Sequence, residues 1–169
     1  RYYDANFMAR EWEALWTRTW LIAAVESDLP EAGDYSVFRL RHEQFLIVRQ
    51  DDGAVRAFFN VCPHRGNRLI QNDRGFVGRF SCPFHSWQFG LNGCLNKITD
   101  EETFRGEVIA RRPGLTEVRC ETYCGLVFIN LDLNAPPLAA RIGLPPGYLD
   151  AYGLDKMRVV RHVVSDWNA

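Results

Sequence analysis

The sequence of this 169-residue chain lacks several features that would narrow its class at once. No apolar run reaches the roughly 18 residues that a membrane-spanning helix needs, so we expect no membrane segment. The 20 basic and 21 acidic residues leave a net charge of −1, which implies no nucleic-acid partner. No internal repeat, low-complexity tract or signal-peptide pattern is present.

Cysteine and histidine are both scarce, at five and four residues. Cys94, Cys120 and Cys124 lie outside any convincing metal motif, because the spacing of C-E-T-Y-C at 120–124 is weak and no histidine is near it. We expect these three side chains to be reduced, partly buried thiols. The predicted location is therefore the cytoplasm.

The chain is well supplied with apolar and aromatic side chains. Hydrophobic residues make up 47% of it and aromatic residues 13%, with five tryptophans. That is enough to bury a core. The length fits one domain, or one domain with additional pieces.

Two short motifs carry the chemistry: C-P-H-R-G at 62–66 and C-P-F-H-S-W at 82–87. Each offers one thiolate and one imidazole, from Cys62 with His64 and from Cys82 with His85. Sulfur and nitrogen ligands of this kind suit a metal that transfers an electron or fixes a fold.

The residues beside these ligands point the same way. A proline follows each cysteine, which stiffens the loop and removes a backbone N–H. Gly66 would let the backbone approach a bound group closely, although it is also an ordinary turn residue.

Two metal centres use two cysteines and two histidines. A structural zinc site usually pairs like with like, as C-x2-C followed by H-x3-5-H. A Rieske [2Fe–2S] cluster has two Cys on one iron and two His on the other. Since each motif here mixes one Cys with one His, the pattern favours the Rieske cluster over zinc.

The pattern of apolar residues predicts a mainly β fold after one N-terminal helix. Met8, Trp12, Leu15 and Trp16 share a face of a helix over 7–20, with Asn6 as its N-cap. Strands are predicted at Tyr35–Leu40, Phe45–Arg49, Val55–Asn60, Val77–Ser81, Trp87–Phe89, Cys94–Ile98, Val118–Arg119 and Gly125–Leu131, with hairpin turns at Asp52-Gly53 and Asn92-Gly93. Each motif then lies at a strand end, so the two loops can converge.

Beyond Leu131 the composition changes. Pro136-Pro137 and Pro145-Pro146 separate short segments, with a helix predicted near Leu138–Ile142 and a strand over Val159–Val164. This indicates a domain boundary followed by the first strand of another domain.

Most of the chain resembles one family. W-L-I-A-A-V-E-S-D-L-P-E-A-G-D-Y (20–35), V-R-A-F-F-N-V-C-P-H-R-G-N-R-L (55–69), C-P-F-H-S-W-Q-F (82–89), E-T-Y-C-G-L-V-F-I-N-L (121–131) and S-D-W-N-A (165–169) carry the likeness. It is to the N-terminal Rieske domain of the α subunits of Rieske non-haem iron oxygenases, of the ring-hydroxylating dioxygenase type.

The resemblance implies a fold and a division of the chain. The fold would be a Rieske-type antiparallel β-sandwich with a cluster-binding subdomain, an N-terminal helix and the start of an α+β catalytic domain. Residues 1–30 would be a helical arm, 31–132 the Rieske domain, and 133–169 a linker with the first strand of the catalytic domain.

The resemblance also implies cofactors and site residues. Cys62, His64, Cys82 and His85 would ligate a [2Fe–2S] cluster, and Arg65, Gly66 and Trp87 would lie around it. A mononuclear Fe(II) would be held by two histidines and a carboxylate in the catalytic domain. The two remaining histidines, His42 and His162, are expected at the surface or in packing roles.

Several partners follow from the same family. A ferredoxin or flavin reductase would supply electrons, which would pass to a neighbouring subunit in a homotrimer or an α3β3 assembly. A small molecule, most commonly an aromatic ring, would be hydroxylated. The alternative is a free-standing Rieske ferredoxin, but such carriers are commonly shorter, and the N-terminal helix and the tail beyond Leu131 argue against one.

The motif also predicts a low reduction potential. High-potential respiratory Rieske proteins resemble this pattern but add a disulfide between the loops and hydroxyl donors after the second ligand pair. Asn67 and Phe84 occupy the disulfide positions here, and Trp87 and Phe89 occupy the hydroxyl positions. Fewer hydrogen bonds to sulfur place the potential at the low end of the Rieske range.

Overall fold

A computed structural model describes residues 4–145, 147–158, 160, 161, 163 and 165. Its strands are β1 Leu21–Val25, β2 Asp34–Leu40, β3 Glu43–Arg49, β4 Val55–Phe59, β5 Arg74–Phe76, β6 Phe80–Ser81, β7 Gln88–Phe89, β8 Leu95–Lys97, β9 Glu117–Tyr123 and β10 Leu126–Asn130. The mainly β, antiparallel architecture is thereby confirmed.

Within the described residues, the strands form two sheets. Seven strands pair in the order β1-β10-β9-β4-β3-β2-β5, and three short strands pair in the order β6-β7-β8. Every pairing in both sheets is antiparallel. The first motif follows β4 of the large sheet, and the second motif connects β6 to β7 of the small one.

Strand β3 lies between two hydrophobic cores. Phe45 and Ile47 pack into one core with residues of β9 and β10. Leu46 and Val48 pack into the other core, which also contains Cys62 and Cys82. Successive side chains of a strand point to opposite faces, so the unbroken apolar run of β3 is explained by burial on both sides. The second core is the platform on which both motifs lie.

The strand predicted over Val77–Ser81 is wrong in its bounds. Arg74–Phe76 pairs with β2, while Phe80–Ser81 pairs with β7 in the other sheet. Gly33 N–H donates to Arg49 O, and its own carbonyl accepts from Val77 N. The chain therefore leaves the large sheet at Val77 and enters the small sheet at β6.

The N-terminal helix is shorter than predicted. Helix α1 spans Ala5–Glu11 and continues as a π-helical turn over Trp12–Trp16. Asp4, rather than Asn6, is the N-cap, because its side chain accepts hydrogen bonds from Asn6 N and Phe7 N. The sequence predicts no element over 21–25, and these residues form β1, which pairs with β10. This strand lies within the predicted arm 1–30, and the division into domains stays a prediction.

The remaining elements are short. Helix α2 spans Gly106–Arg111, and single 3-10 turns occur at Glu26–Asp28, Glu101–Thr103, Leu138–Ala140, Asp150–Tyr152 and Leu154–Lys156. Of the predicted strand 159–164, Val160, Arg161 and Val163 are described and are not in a strand, while the other three residues lie outside the described part. Among the described helices, none has the length and apolar character to cross a bilayer.

Candidate functional site

The two motifs fold into loops with the same backbone hydrogen bonds. In the first, Cys62 N donates to Asn67 O at 2.8 Å, and Gly66 N donates to Cys62 O at 2.9 Å. In the second, Cys82 N donates to Trp87 O and Ser86 N donates to Cys82 O, both at 2.9 Å. We define these segments, 62–67 and 82–87, as the first and second ligand loops.

Each loop turns at the fourth residue after its cysteine. Gly66 has a φ of +72° there. A Cβ built on Gly66 meets no atom of the described residues within 4 Å, so its left-handed backbone is the structural reason for glycine. The predicted close approach of Gly66 to a bound group stays a prediction.

The loops bury their sulfurs and leave their imidazoles closer to solvent. Cys62 is 1% exposed and Cys82 is 2% exposed, whereas His64 and His85 are half-buried. The two imidazole rings lie side by side, with their centroids 4.7 Å apart. The site therefore has a thiol side in the core and an imidazole side near the surface.

Unpaired nitrogen atoms mark the imidazole side as a candidate ligand site. Nδ1 of His64 and Nδ1 of His85 are both buried without a hydrogen-bond partner among the described residues. Buried polar atoms are nearly always paired, so two orphaned nitrogens on neighbouring rings fit coordination to a metal. The donor set of two buried thiols and two inward Nδ1 atoms suits a Rieske [2Fe–2S] cluster.

The local electrostatics act on both kinds of candidate ligand. Burial raises the pKa of Cys62 to about 11, although the backbone N–H groups of His64 and Arg65 act in the opposite direction. Burial also lowers the pKa of His64, assisted by the charges of His85 and Arg65. A low pKa keeps the imidazole neutral, which is the form that binds metals. Without a metal, by contrast, Cys62 stays a thiol at neutral pH.

Aromatic side chains hold the loops against each other. Trp87, from the second loop, stacks on His64 of the first, with centroids 4.5 Å apart and 4° between the planes. Arg65 of the first loop lies over the Phe84 ring of the second, 5.6 Å from its centroid. Phe104 packs edge-on against both His64 and Trp87, at 5.8 and 5.5 Å. Sequence reasoning missed Phe104, which lies outside both motifs.

Asn60 is a second residue that the sequence did not single out. Its buried side chain accepts from Leu69 N and Ile70 N at 3.2 and 2.9 Å, and donates to Ile70 O at 2.8 Å. These bonds tie the end of β4 to the chain that leaves the first ligand loop. Asn60 therefore fixes the base of that loop.

The remaining cysteines and histidines of the described residues lie outside the two ligand loops. All five cysteines are free thiols. Cys120 and Cys124 are partly buried, as predicted, whereas the prediction is wrong for Cys94, which is exposed. Cys124 Sγ donates to Asp150 Oδ1 at 3.1 Å. His42 is exposed, and His162 lies outside the described residues. Among the described residues, no group of three or more His, Cys, Asp or Glu is placed to hold a metal ion. Each iron of a Rieske centre has only two protein ligands. The absence of such a group among the described residues is therefore compatible with one Cys pair and one His pair.

Comparison with curated proteins places the chain beside large oxygenase subunits. It is 36% identical over 149 residues to the large oxygenase component of a naphthalene 1,2-dioxygenase system from Pseudomonas aeruginosa, covering 87% of this chain and 33% of that protein. It is 35% identical over 151 residues to the oxygenase subunit of carnitine monooxygenase from Escherichia coli K12, covering 89% of this chain and 40% of that protein. The chain thus spans a third to two-fifths of the length of these relatives.

Solved structures give the same result. The chain superposes on naphthalene 1,2-dioxygenase with indole bound in its active site with a TM-score of 0.80, at 35% identity, covering 88% of this chain and 34% of that one. It superposes on a quaternary ammonium Rieske monooxygenase with a TM-score of 0.79, at 30% identity, covering 89% and 41%.

A family model decides the assignment. The model described as "Rieske [2Fe-2S] domain" matches residues 19–118, a segment that includes both ligand loops and the strands that carry them. The fold, the paired loops and this match agree, and the resemblance found in the sequence is confirmed. The chain belongs to the Rieske [2Fe–2S] domain family, whose cofactor is a two-iron, two-sulfur cluster.

Proposed function

We propose that this chain is the electron-transfer domain of a Rieske oxygenase α subunit, with Cys62, His64, Cys82 and His85 as the cluster ligands. The observation that carries the proposal is the pair of buried, unpartnered Nδ1 atoms beside two buried thiols. Arg65, Gly66 and Trp87, which lie in the same two loops, would be next to the cluster. A bound Rieske cluster supplies one-electron storage and transfer.

The chain's own residues decide where an electron enters and leaves. The cysteines lie within a hydrophobic core, so their side of the site is closed to a partner. His64 and His85 are half-buried. Their Nδ1 atoms are buried, so the solvent-exposed part of each residue is a different part of it. A docked partner therefore reaches the imidazole edges first.

The whole protein is proposed to be a reductase-dependent oxygenase. Naphthalene, 2,4-dinitrotoluene and biphenyl dioxygenases are among the relatives, which favours hydroxylation of an aromatic substrate at a mononuclear Fe(II) in a catalytic domain. Several relatives are named as components or subunits of larger systems. We propose a ferredoxin or flavin reductase as donor and a trimeric or α3β3 assembly, with the acceptor in a neighbouring subunit. The free thiols favour a cytoplasmic location.

A free-standing Rieske ferredoxin is the alternative function. The similarity to oxygenase subunits extends over 149 residues, beyond the 19–118 segment that matches the domain model. A similarity over 87% of the chain includes at least part of the linker after β10, which favours the oxygenase reading.

The test is to purify residues 1–169 with iron and to measure electron transfer and oxygenation separately. We expect about two irons per chain, reduction by a flavin reductase, and re-oxidation by an artificial acceptor. With labelled dioxygen, added Fe(II) and naphthalene, we expect no labelled product, whereas the complete protein should carry about three irons and form product. Labelled product from residues 1–169 would contradict the proposal that these residues transfer electrons and that oxygenation takes place in a separate catalytic domain.

A further inference from the structure

Among the described residues, three buried side-chain polar atoms have no hydrogen-bond partner: Nδ1 of His64, Nδ1 of His85 and Nε1 of Trp87. All three belong to the ligand loops. The two imidazole centroids are 4.7 Å apart, and the indole stacks on His64 at 4.5 Å. Because unpaired buried polar groups are rare, three of them at one place call for a shared explanation.

Metal coordination explains two of these atoms but not the third. A neutral imidazole nitrogen can accept a metal, whereas the indole Nε1–H is a donor only. Trp87 is 1% exposed, so bulk water does not reach this N–H. The indole therefore needs an acceptor that the described residues do not provide. The acceptors that a Rieske centre brings are its sulfurs, both the inorganic sulfides and the coordinated thiolates.

We propose that the Trp87 indole N–H donates a hydrogen bond to a sulfur of the [2Fe–2S] centre and thereby raises its reduction potential. This rests on the proposed function, since it requires the cluster between the two loops. Hydrogen bonds to sulfur are one of the determinants of Rieske potentials. Reduction adds negative charge to the centre, so a donor stabilises the reduced form more than the oxidised form.

The surroundings of Trp87 hold the indole in place for this role. Its carbonyl accepts from Cys82 N at 2.9 Å, which fixes its backbone at the base of the second loop. Its ring lies 4° from the plane of His64, and Phe104 packs edge-on at 5.5 Å. An indole packed on these sides has little freedom to turn its N–H away.

The direct test observes the indole nitrogen in the unmodified protein. The chain is labelled with tryptophan carrying ¹⁵N in the indole, reduced, and measured by pulsed EPR. We expect a magnetic coupling between the cluster and one indole ¹⁵N, which disappears in Trp87→Phe. Trp20→Phe is the matched control, because Trp20 Nε1 already donates to Pro136 O at 3.1 Å, and it should keep the coupling.

The second readout is the reduction potential. Trp87→Phe keeps an aromatic ring and loses the N–H. When the solution potential is held fixed, the ratio of oxidised to reduced cluster in this variant should therefore be at least threefold higher than in the wild type. For a one-electron couple this is a shift of about 28 mV to more negative potential. Trp20→Phe should leave the potential unchanged.

Two results would overturn this inference and leave the proposed function standing. One is a wild-type [2Fe–2S] signal that lacks any indole ¹⁵N coupling, which needs no variant to fold. The other is a Trp87→Phe protein with an intact cluster spectrum and the wild-type potential. A wild-type protein that holds zinc and no cluster would instead overturn the proposed function, and this inference with it.

Discussion

Gly66 and Ser86 occupy the same place in the two ligand loops, and both have left-handed backbone, with φ of +72° and +57°. Each donates its N–H to the carbonyl of the cysteine four residues before it, at 2.9 Å. Only one of the two is a glycine. A residue with a Cβ pays roughly 1–2 kcal/mol for this conformation, so the second loop carries strain that the first does not.

This difference predicts opposite effects of two substitutions on stability. Ser86→Gly should raise the free energy of unfolding by about 1 kcal/mol, and Gly66→Ala should lower it by about the same amount. Urea denaturation followed by circular dichroism measures both. Gly78→Ala is the control, because Gly78 has no positive φ and a Cβ there meets nothing within 4 Å. Equal effects of Gly66→Ala and Gly78→Ala would contradict the argument.

Asn60 should be essential to the first ligand loop. Asn60→Ala removes the side-chain bonds to Leu69 and Ile70 and leaves buried backbone groups unpaired. We expect a loss of roughly 2–3 kcal/mol in unfolding free energy and faster release of iron to a chelator, measured by the decay of visible absorption. Gln71→Ala, at an exposed neighbouring position, should change neither quantity.

Cys120 should make the protein sensitive to alkaline pH. Burial, with the nearby charges of Glu117, Glu121 and Glu26, raises its pKa to about 12 from an ordinary 9.0. Between these values the unfolded chain loses the thiol proton while the folded chain keeps it, so stability falls as pH rises above about 9.

The size of this effect is about 1 kcal/mol at pH 10. Cys120→Ser removes the titrating group and should show a smaller alkaline loss in thermal unfolding at pH 8 and pH 10. Cys94→Ser, at an exposed thiol, should follow the wild type. A Cys120→Ser protein with the full wild-type loss would show that the alkaline loss has another source.

The absence of hydroxyl donors should keep the reduction potential low, at about −150 mV. Phe89 is 0% exposed and shares its core with Cys62 and Cys82. Phe89→Tyr places a hydroxyl there, and voltammetry should give a more positive value if that hydroxyl reaches a cysteine sulfur. A strongly positive wild-type potential would contradict the interpretation of the loop sequences.

The site was predictable because its defining residues are local in sequence. Cys62 with His64, and Cys82 with His85, lie two or three positions apart, and the turns between them depend on neighbouring residues. Asn60 and Phe104 could not be found in this way. Phe104 contacts His64 from 40 positions away in the sequence. Asn60 hydrogen-bonds to backbone groups of Leu69 and Ile70, and because every residue has such groups, this contact does not show in the residue types.

The predicted strands were most reliable where burial is regular. The central residues of strand β3, 45–48, are apolar and buried on both faces, and the predicted strand Phe45–Arg49 is close to the observed Glu43–Arg49. Strand β1, Leu21–Val25, was missed because it is short, interrupted by an irregularity between Ile22 and Ala24, and half-exposed. The predicted helix over 7–20 is longer than the observed one. Trp12, Leu15 and Trp16 keep a helical spacing, but in the structure the helix ends in a π-helical turn over Trp12–Trp16.

Mixed ligation by two histidines and two cysteines is the central claim, and pulsed EPR of the reduced wild-type protein tests it most directly. With ¹⁵N-labelled histidine, the account predicts a [2Fe–2S] signal coupled to two imidazole nitrogens, assigned to His64 and His85, and no cluster after substitution of either by Ala, since neither loop has a spare ligand. A colourless protein with stoichiometric zinc, or a cluster signal without histidine nitrogen coupling, would contradict the account.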